Sequence, residues 1–523
     1  MPRAEYTIEV ELEYNTWTDI SGDWHTPIPL IVERGIEPGD RLARVGRLTL
    51  ALHDPDGRYT PGHTNLTTGF GVGIGLRVRA SDGSTTYPLF YGRIAAISPQ
   101  RSAQKNDRHS LYVTVTALDD IDALARVPVG AFPLIVDAQA GDLAERLVSR
   151  AFVPPGRFAY WRLDHPQAAA LGEGSTLSDE STGVDLDTGQ SVFPWAGDTW
   201  AADLPCLAAL RDVCLSEWGT FHIAADGTPT FGDRHARPKH ASADAELSTH
   251  LAGVTVEQEA ARIANRVELT VHPREIGEET AVLWQANHDI QIKPGQTRVI
   301  TCPFSDPDQQ VAHIAGEDLI VPVPGVDFSA TAGGDGGEDV TNAVQIEMAA
   351  GGTSARLTLA TTAQDTKIVA IHDLQVRGTP IRTYYPAAVA VEDAGSKVTL
   401  GRHPLQIDLP FQEDSSEAED LARVLIANRK EPHPWLVVTV EATASGTLLT
   451  HALARDVGSR LHLTDLDLGL DEAACFVDHV RHDVERGGAS HRVTWRTSPA
   501  DLESYWALGT SQAQLGQSNR LAY

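Results

Sequence analysis

The densest run of side chains able to bind metal or move protons is Asp478-His479-Val480-Arg481-His482-Asp483, with His491 nine residues beyond His482. Imidazoles beside carboxylates can hold a transition metal or relay protons. On a strand, however, odd and even positions face opposite ways, so His479 and His482 diverge and the metal reading loses its geometry. With a turn at Arg486-Gly487-Gly488-Ala489, one hairpin face carries Val480, His482, Val484, His491, Val493 and Trp495. That environment favours a hydrogen-bonded core pair or a subunit contact for the two histidines. The other face carries Arg481, Asp483, Glu485, Ser490, Arg492 and Thr494, with Asp483 opposite Arg492.

Two further carboxylate groups invite a test. Asp465-Leu466-Asp467-Leu468-Gly469-Leu470-Asp471 resembles a calcium loop in its alternating acids. Gly469 falls where a fifth-position ligand belongs and Phe476 where a bidentate Glu is needed, so Leu466, Leu468 and Leu470 read instead as an apolar strand face. Asp119, Asp120 and Asp122 could be catalytic carboxylates, but no partner residue is evident and a solvated strand end is the expectation. No Gly-rich dinucleotide loop, phosphate-binding GxxxxGK[ST], HExxH helix or GxSxG elbow occurs. The sequence therefore offers no catalytic, cofactor-binding or metal-binding residue, and no enzyme activity is expected.

The elements around these residues are mostly strands. Tyr6, Ile8, Val10 and Leu12 alternate with Glu5, Glu9, Glu11 and Glu13, which predicts a sheet with one wet side. Strands follow at 47–52, 76–80, 89–97 and 111–118, separated by Asp54-Pro55-Asp56-Gly57 and Ser81-Asp82-Gly83-Ser84 turns. Short strands without intervening helices favour a barrel or sandwich over a parallel α/β sheet. Leu143, Leu147 and Ala151 mark a helix after Asp142 as cap. A second helix spans 204–218 and stops at Gly219, ahead of a hairpin turning at Asp226-Gly227 between Phe221, Ile223 and Phe231. A surface loop is expected from Gly172 to Gly189. Strand patterns resume at 266–271, a Gly/Asp run at 332–337 sits inside a further β-rich stretch, and the alternation at 343–348, 356–360 and 367–371 suggests a small sandwich. A capping box of Ser416 and Glu419 starts a helix that Pro432 and Pro434 stop, and 435–441 is again a strand.

The chain has 523 residues, enough for three or four compact units. Hydrophobic residues at 42% and charged residues at 22% exclude wholesale disorder. The formal net charge of -29 argues against gripping a phosphate backbone, which takes clustered cations. Four scattered cysteines suit neither a disulfide framework nor a zinc module and fit folding in a reducing cytoplasm. The first twenty residues lack the apolar core of a signal peptide, and no run of about 18 apolar residues could cross a bilayer as a helix.

Several stretches follow one another in order along the chain. They are Trp17-Thr18-Asp19-Ile20, Arg34-Gly35, and Gly46-Arg47-Leu48-Thr49-Leu50 leading to Asp54-Pro55-Asp56-Gly57-Arg58-Tyr59-Thr60-Pro61-Gly62. Then come Gly69 to Val78, Phe90-Tyr91-Gly92-Arg93-Ile94, Leu207 to Gly219 with Asp226-Gly227-Thr228, Ile263-Ala264-Asn265-Arg266-Val267 and Val376-Arg377-Gly378-Thr379-Pro380-Ile381. Tyr505-Trp506-Ala507-Leu508-Gly509, Leu515-Gly516 and Arg520-Leu521-Ala522-Tyr523 close the pattern. Together these stretches resemble the hub-type minor tail proteins of long, non-contractile-tailed bacteriophages.

The resemblance implies a mainly β fold with minor α. Two related β-barrel hub domains would lie at 1–130 and at 251–302 with 399–500, the latter including helix 416–430. A helix-containing α+β segment would span 131–250, a β-sandwich-like insertion 303–398 and a terminal segment 501–523. It further implies a homotrimeric ring at the tail tip of a virion assembled in the host cytoplasm, adapting a sixfold tube to a threefold tip around the DNA exit channel. Expected partners are the distal tail or tail tube protein, the tape-measure protein and tail fibre or receptor-binding proteins, with DNA passing without specific binding. Acidic residues facing the bore would repel its phosphates. Two rival functions remain open: host-surface carbohydrate binding through the insertion, for which Tyr384-Tyr385 is the nearest aromatic pair, and a cell-wall hydrolase, which would need a raised-pKa acid about 5–9 Å from a second carboxylate.

Overall fold

A computed structural model describes residues 2–503 apart from 14–15, 38, 104–108, 153–182, 249–250, 294, 307, 309–313, 334–336, 363–366 and 384. The closing Tyr505 to Tyr523 phrases, Tyr384, most of the loop expected at 172–189 and the centre of the Gly/Asp run lie outside the described residues. The fold is mainly β, as the alternating patterns predict.

Thirteen strands form one large sheet. Seven come from the N-terminal quarter: β1 (Glu5–Glu13), β2 (Thr16–Asp19), β3 (Leu30–Ile36), β4 (Ala43–His53), β5 (Gly75–Ser81), β6 (Thr86–Ala103) and β7 (His109–Leu118). Six come from later in the chain: β8 (Ala245–Leu247), β9 (Leu251–Glu257), β10 (Trp435–Glu441), β11 (Arg460–Asp465), β12 (Leu470–Glu485) and β13 (Ser490–Pro499). The order is β9-β10-β13-β12-β3-β4-β7-β6-β5-β1-β2, with β11 pairing β12 and β8 pairing β11.

Among the described residues no sheet closes into a barrel, which corrects the expected pair of barrels. The cause is the antiparallel ladder between β3 and β12, from Leu30 opposite Val484 to Gly35 opposite His479, which fuses the two strand blocks through backbone hydrogen bonds. Inner-face residues Leu30, Val32, Leu48, Leu50, Val480, Val484, Val493 and Trp495 are fully buried in one core. The 476–495 hairpin has the expected register, with Asp483 opposite Arg492. The ion pair differs: Asp483 accepts two 2.9 Å hydrogen bonds from Arg481, its neighbour two positions along the same face.

The wet side expected for β1 holds only at its ends, where Glu5 and Glu13 are exposed, and is corrected in its middle. Glu9 and Glu11 are buried, because Arg77 and Arg79 of the adjacent β5 reach over Glu9 at 2.8 and 2.7 Å and Trp17 stacks beneath Arg77 at 4.2 Å. Two side chains of opposite charge satisfy each other where alternation alone predicts water.

Helix α1 (Ile121–Arg126) follows β7, and α2 (Ala140–Phe152) buries Leu143, Ala144, Leu147, Val148 and Ala151 as the spacing predicts. Asp142 is not its cap; it sits inside the first turn. In α3 (Cys206–Glu217) the left-handed residue that ends the helix is Trp218 (φ 60°), one position before Gly219. Its ring lies under Arg41 at 4.0 Å, with Arg429 at 5.5 Å, contacts that offset the strain of a bulky left-handed residue. The Asp226-Gly227 hairpin forms, with Phe221 opposite Phe231.

Two smaller cores complete the chain. In one, the sheet of 290–292, 369–372, 329–332 and 338–339 packs on that of 298–303, 354–361 and 344–350 around Ile290, Phe328, Leu357, Leu359 and Ile371, the small sandwich anticipated. In the other, strands 266–271, 387–392 and 404–409 lie under α4 (Ser415–Arg429). Asp414, not Ser416, caps α4, its carboxylate accepting from the Ser416 amide at 2.7 Å, while Glu419 pairs with Arg423 one turn on. Helix α5 (Gly446–Ala454) leads into β11. The four cysteines are buried and unpaired. Among the described residues no helix is long and apolar enough to cross a membrane.

Candidate functional site

The signature loop between β4 and β5 is held together by its own polar side chains. Asp54, 2% exposed at the end of β4, accepts from the Tyr59 amide at 3.1 Å and the Thr60 hydroxyl at 2.6 Å. The Tyr59 hydroxyl and the Arg58 guanidinium both donate to Asp23, at 2.5 and 2.6 Å, and the Tyr59 ring meets Phe70 edge-on at 4.9 Å. Gly57 (φ 78°) lies against the His63 ring, where a side chain would collide. Burial and the hydrogen bond to Asp23 raise the Tyr59 phenol above its usual range. The side chains of Asp54, Arg58, Tyr59 and Thr60 are used in fixing the loop's shape, and exposed Asp56 contributes its backbone carbonyl, which accepts from Asn65 at 3.0 Å.

The His/Asp group of β12 disperses as its strand parity requires. His479 faces Glu33 at 3.5 Å, Asp478 accepts from Arg237 at 2.7 Å and Ser498 at 3.2 Å, and Asp483 binds Arg481. His482 and His491 turn inward and are hydrogen-bonded, Nδ1 to Nε2, at 3.0 Å. The other nitrogen of His491 meets the Tyr6 hydroxyl at 2.9 Å, a partner 485 residues away that no local pattern reveals. Burial holds both imidazoles neutral, His491 down at about 4 and His482 well below its ordinary value, and it raises the Tyr6 phenol. No group of three or more potential metal ligands occurs among the described residues.

The apolar face expected at Leu466, Leu468 and Leu470 is not a strand face. Leu466–Leu468 form a 3-10 turn joining β11 to β12, closed by Asp465 accepting from the Leu468 amide at 3.3 Å and by Gly469 (φ 73°). Leu466 is 73% and Leu468 46% exposed, and only Leu470 enters the core.

Asp119 and Asp120 are buried, contrary to the solvated strand end expected of them. Burial lifts Asp119 to about 7 and Asp120 to about 6. A raised carboxyl is what a glycosidase acid needs, but Asp119 is sealed under Gly46 and accepts from the Ile121 amide at 3.2 Å, and Asp120 faces Arg93 at 4.0 Å. Neither is open to a polymer. Asp122 instead pairs with Arg126 on the surface of α1. Tyr385 is 91% exposed.

Sequence reasoning missed the buried charges that bind distant segments. Arg34, on the inner face of β3, pairs with Asp456, which also accepts from the Ala225 amide at 3.0 Å; His222, beside them, is pushed down to about 4 by burial. Arg274 and Asp198 are both fully buried and paired, and Arg274 also donates to the carbonyls of His272 at 2.8 Å and Pro410 at 2.7 Å. No local pattern marks them, since Arg34, Asp456 and Arg274 each stand next to another charged residue in sequence.

No protein-family model matches the chain, and no curated protein matches it. Among solved structures it is similar to the 43 kDa tail protein of prophage MuSo2 from Shewanella oneidensis (9% identity, TM-score 0.47), covering 95% of this chain and 99% of that one. It is also similar to a tail protein from Neisseria meningitidis MC58 (10%, TM-score 0.48), covering 95% and 98% of the two chains. A third is prophage tail protein gp18 from Listeria monocytogenes EGD-e (6%, TM-score 0.40), at 95% of each chain. All three are described as tail proteins, two of them of prophages.

Proposed function

We propose that this chain is a non-enzymatic structural protein of a bacteriophage tail, forming a homotrimeric hub ring at the distal end of the tail tube. The observation that carries the reading is the Asp54-to-Gly62 loop: the most recognisable hub-type phrase in the sequence has Asp54, Arg58, Tyr59 and Thr60 committed to building a fixed loop at the end of β4. Carboxylates consumed in this way serve shape, not catalysis. The N-terminal and C-terminal strand blocks of each protomer take two similar positions, so that three protomers offer six to the tube. The ring surrounds the DNA exit channel, meets the tube or distal tail protein and the tape-measure protein, and carries fibres or receptor-binding proteins outward. The inserted sandwich and the α+β segment decorate this ring.

The test is the mass and shape of the purified full chain, alone and with its tube partner. A ring of three copies with an open axis, seen by native mass spectrometry and electron microscopy, is expected. A persistent monomer in both preparations would overturn the reading. Release of sugar from purified cell wall would instead support the hydrolase.

A further inference from the structure

The central strands β4, β3, β12 and β13 present a bare outer face. Register puts Arg44, Arg47, Arg481, Arg492 and Arg496 all on it, because Glu33 lies opposite both Arg47 and Arg481, Asp483 opposite Arg492, and Gly35 opposite both Arg44 and His479. The carboxylates on this face of the four strands and just after β3 are Glu33, Asp483, Glu485 and Glu37, and Glu441 of β10 lies opposite Arg492; Glu37 is shared by Arg44 at 3.3 Å and Arg496 at 3.4 Å. Arg47 and Arg492 are exposed and have no ion pair among the described residues. Val45, 38% exposed, adds an apolar point beside them. In a chain of net charge -29, a sheet face where arginines match the carboxylates around them is a local exception to the overall sign.

The opposite sign is concentrated on the β11–β12 knuckle. Exposed Leu466 and Leu468 stand among Asp467, Asp471 and Glu472, and no Lys or Arg occurs between Arg460 and Arg481. The turn is rigid, braced by the Asp465 cap and by the Glu472 amide donating to the Thr464 hydroxyl at 3.3 Å. Exposed leucines on a braced, one-signed tip are costly in water and are suited to a partner that offers apolar surface rimmed by the other sign.

We propose that the Leu466-Asp467-Leu468 knuckle of one copy of this chain docks on the arginine-bearing outer face of a second copy, the leucines against Val45 and the carboxylates against Arg47 and Arg492. The two surfaces lie on different parts of the chain, so the contact is heterologous and repeats head to tail, the kind that closes into a ring. This deepens the hub reading above and rests on it.

The test compares the full-length chain with Asp467→Arg/Asp471→Arg, with Arg47→Glu/Arg492→Glu and with the fourfold variant, by native mass spectrometry over a range of concentration. These side chains are on the surface, and circular dichroism verifies folding. Each twofold variant should shift the association midpoint roughly tenfold or more to higher concentration, and the fourfold variant, with both signs exchanged, should recover it. Added salt should weaken the wild-type assembly. An unchanged midpoint in the twofold variants, or no recovery in the fourfold one, overturns the docking while leaving the ring reading intact. A knuckle variant that associates normally but no longer joins the tube protein assigns the knuckle to that protein and overturns docking between copies. A wild-type chain that never associates removes the ring and this contact together.

Discussion

The Tyr6 hydroxyl and His491 Nδ1 lie 2.9 Å apart, joining the first strand of the chain to the last. The large sheet is open along its edges, yet it curls far enough for β1 to face β13 across the core. The closure that backbone hydrogen bonds do not make is made by the Tyr6-His491-His482 chain, buried among Trp24, Val484 and Val493.

Removing the phenol leaves a buried imidazole nitrogen unpaired, so Tyr6→Phe should lose about 1–3 kcal/mol in urea unfolding. Acid should act on the same chain. The unfolded chain takes up a proton at each histidine near 6.5, whereas folded His491 resists until about 4, so stability falls as pH drops through that window, by roughly 3 kcal/mol for His491. His491→Gln, which keeps a donor and an acceptor, should flatten the decline; an unaltered slope would show that the imidazole is not its source.

Gly488, at φ 84° in the β12–β13 turn, has room for no side chain, since a Cβ there would come within 2.5 Å of the Tyr6 ring. Gly488→Ala therefore combines left-handed strain with overpacking and should cost about 1–3 kcal/mol. Gly469, also left-handed but with open space around it, provides the control: Gly469→Ala should cost only about 1 kcal/mol, the strain alone. Thermal denaturation of the pair separates the two terms.

Asp119 runs against the histidines. Its folded pKa of about 7 lies above the ordinary 3.8, so the folded state holds a proton between those values that the unfolded chain has released. Its contribution therefore improves as pH falls from 7 toward 4 and is a penalty above 7. Asp119→Asn should be more stable than the parent by about 1–3 kcal/mol at pH 8, with the advantage shrinking toward pH 4. Equal stability at pH 8 would mean that the carboxylate is better solvated than its burial implies.

The Arg274 and Asp198 side chains are fully buried, and breaking the pair leaves the guanidinium, which also holds the carbonyls of His272 and Pro410, with only the Glu413 carboxylate at 3.8 Å to answer its charge. Asp198→Ala should cost about 3–5 kcal/mol. Replacing both residues with apolar ones, together with Glu413→Gln so that no carboxylate loses its cation, should recover much of that loss in chemical denaturation, which a simple sum of independent contacts would not allow.

In the signature loop, Asp54→Ala removes the acceptor of two hydrogen bonds and should cost about 2–4 kcal/mol. Under the hub reading it should also reduce ring formation at temperatures where the chain stays folded, seen as a lower trimer fraction. A folded Asp54→Ala protein with an undiminished trimer fraction would separate the loop from assembly.

Alternation and turn chemistry are local, so they were readable without coordinates: the buried stripe of α2, the Asp226-Gly227 hairpin, the 476–495 hairpin with its inward histidines, and the small sandwich. Local rules also misled where a distant group intervened. Glu9 and Glu11 read as wet until Arg77, Arg79 and Trp17 cover them, and Asp119 and Asp120 read as a solvated end until Gly46 and Arg93 close over them. The fusion of both strand blocks through β3 and β12, the Tyr6-His491 closure and the Arg34–Asp456 pair join residues hundreds of positions apart. By itself the sequence set which residues turn inward, because a strand's faces alternate wherever it lies. Which strands meet, and which buried charges find partners, was decided only by tertiary packing, since a backbone edge pairs with any strand and the choice rests on side-chain fit across the core.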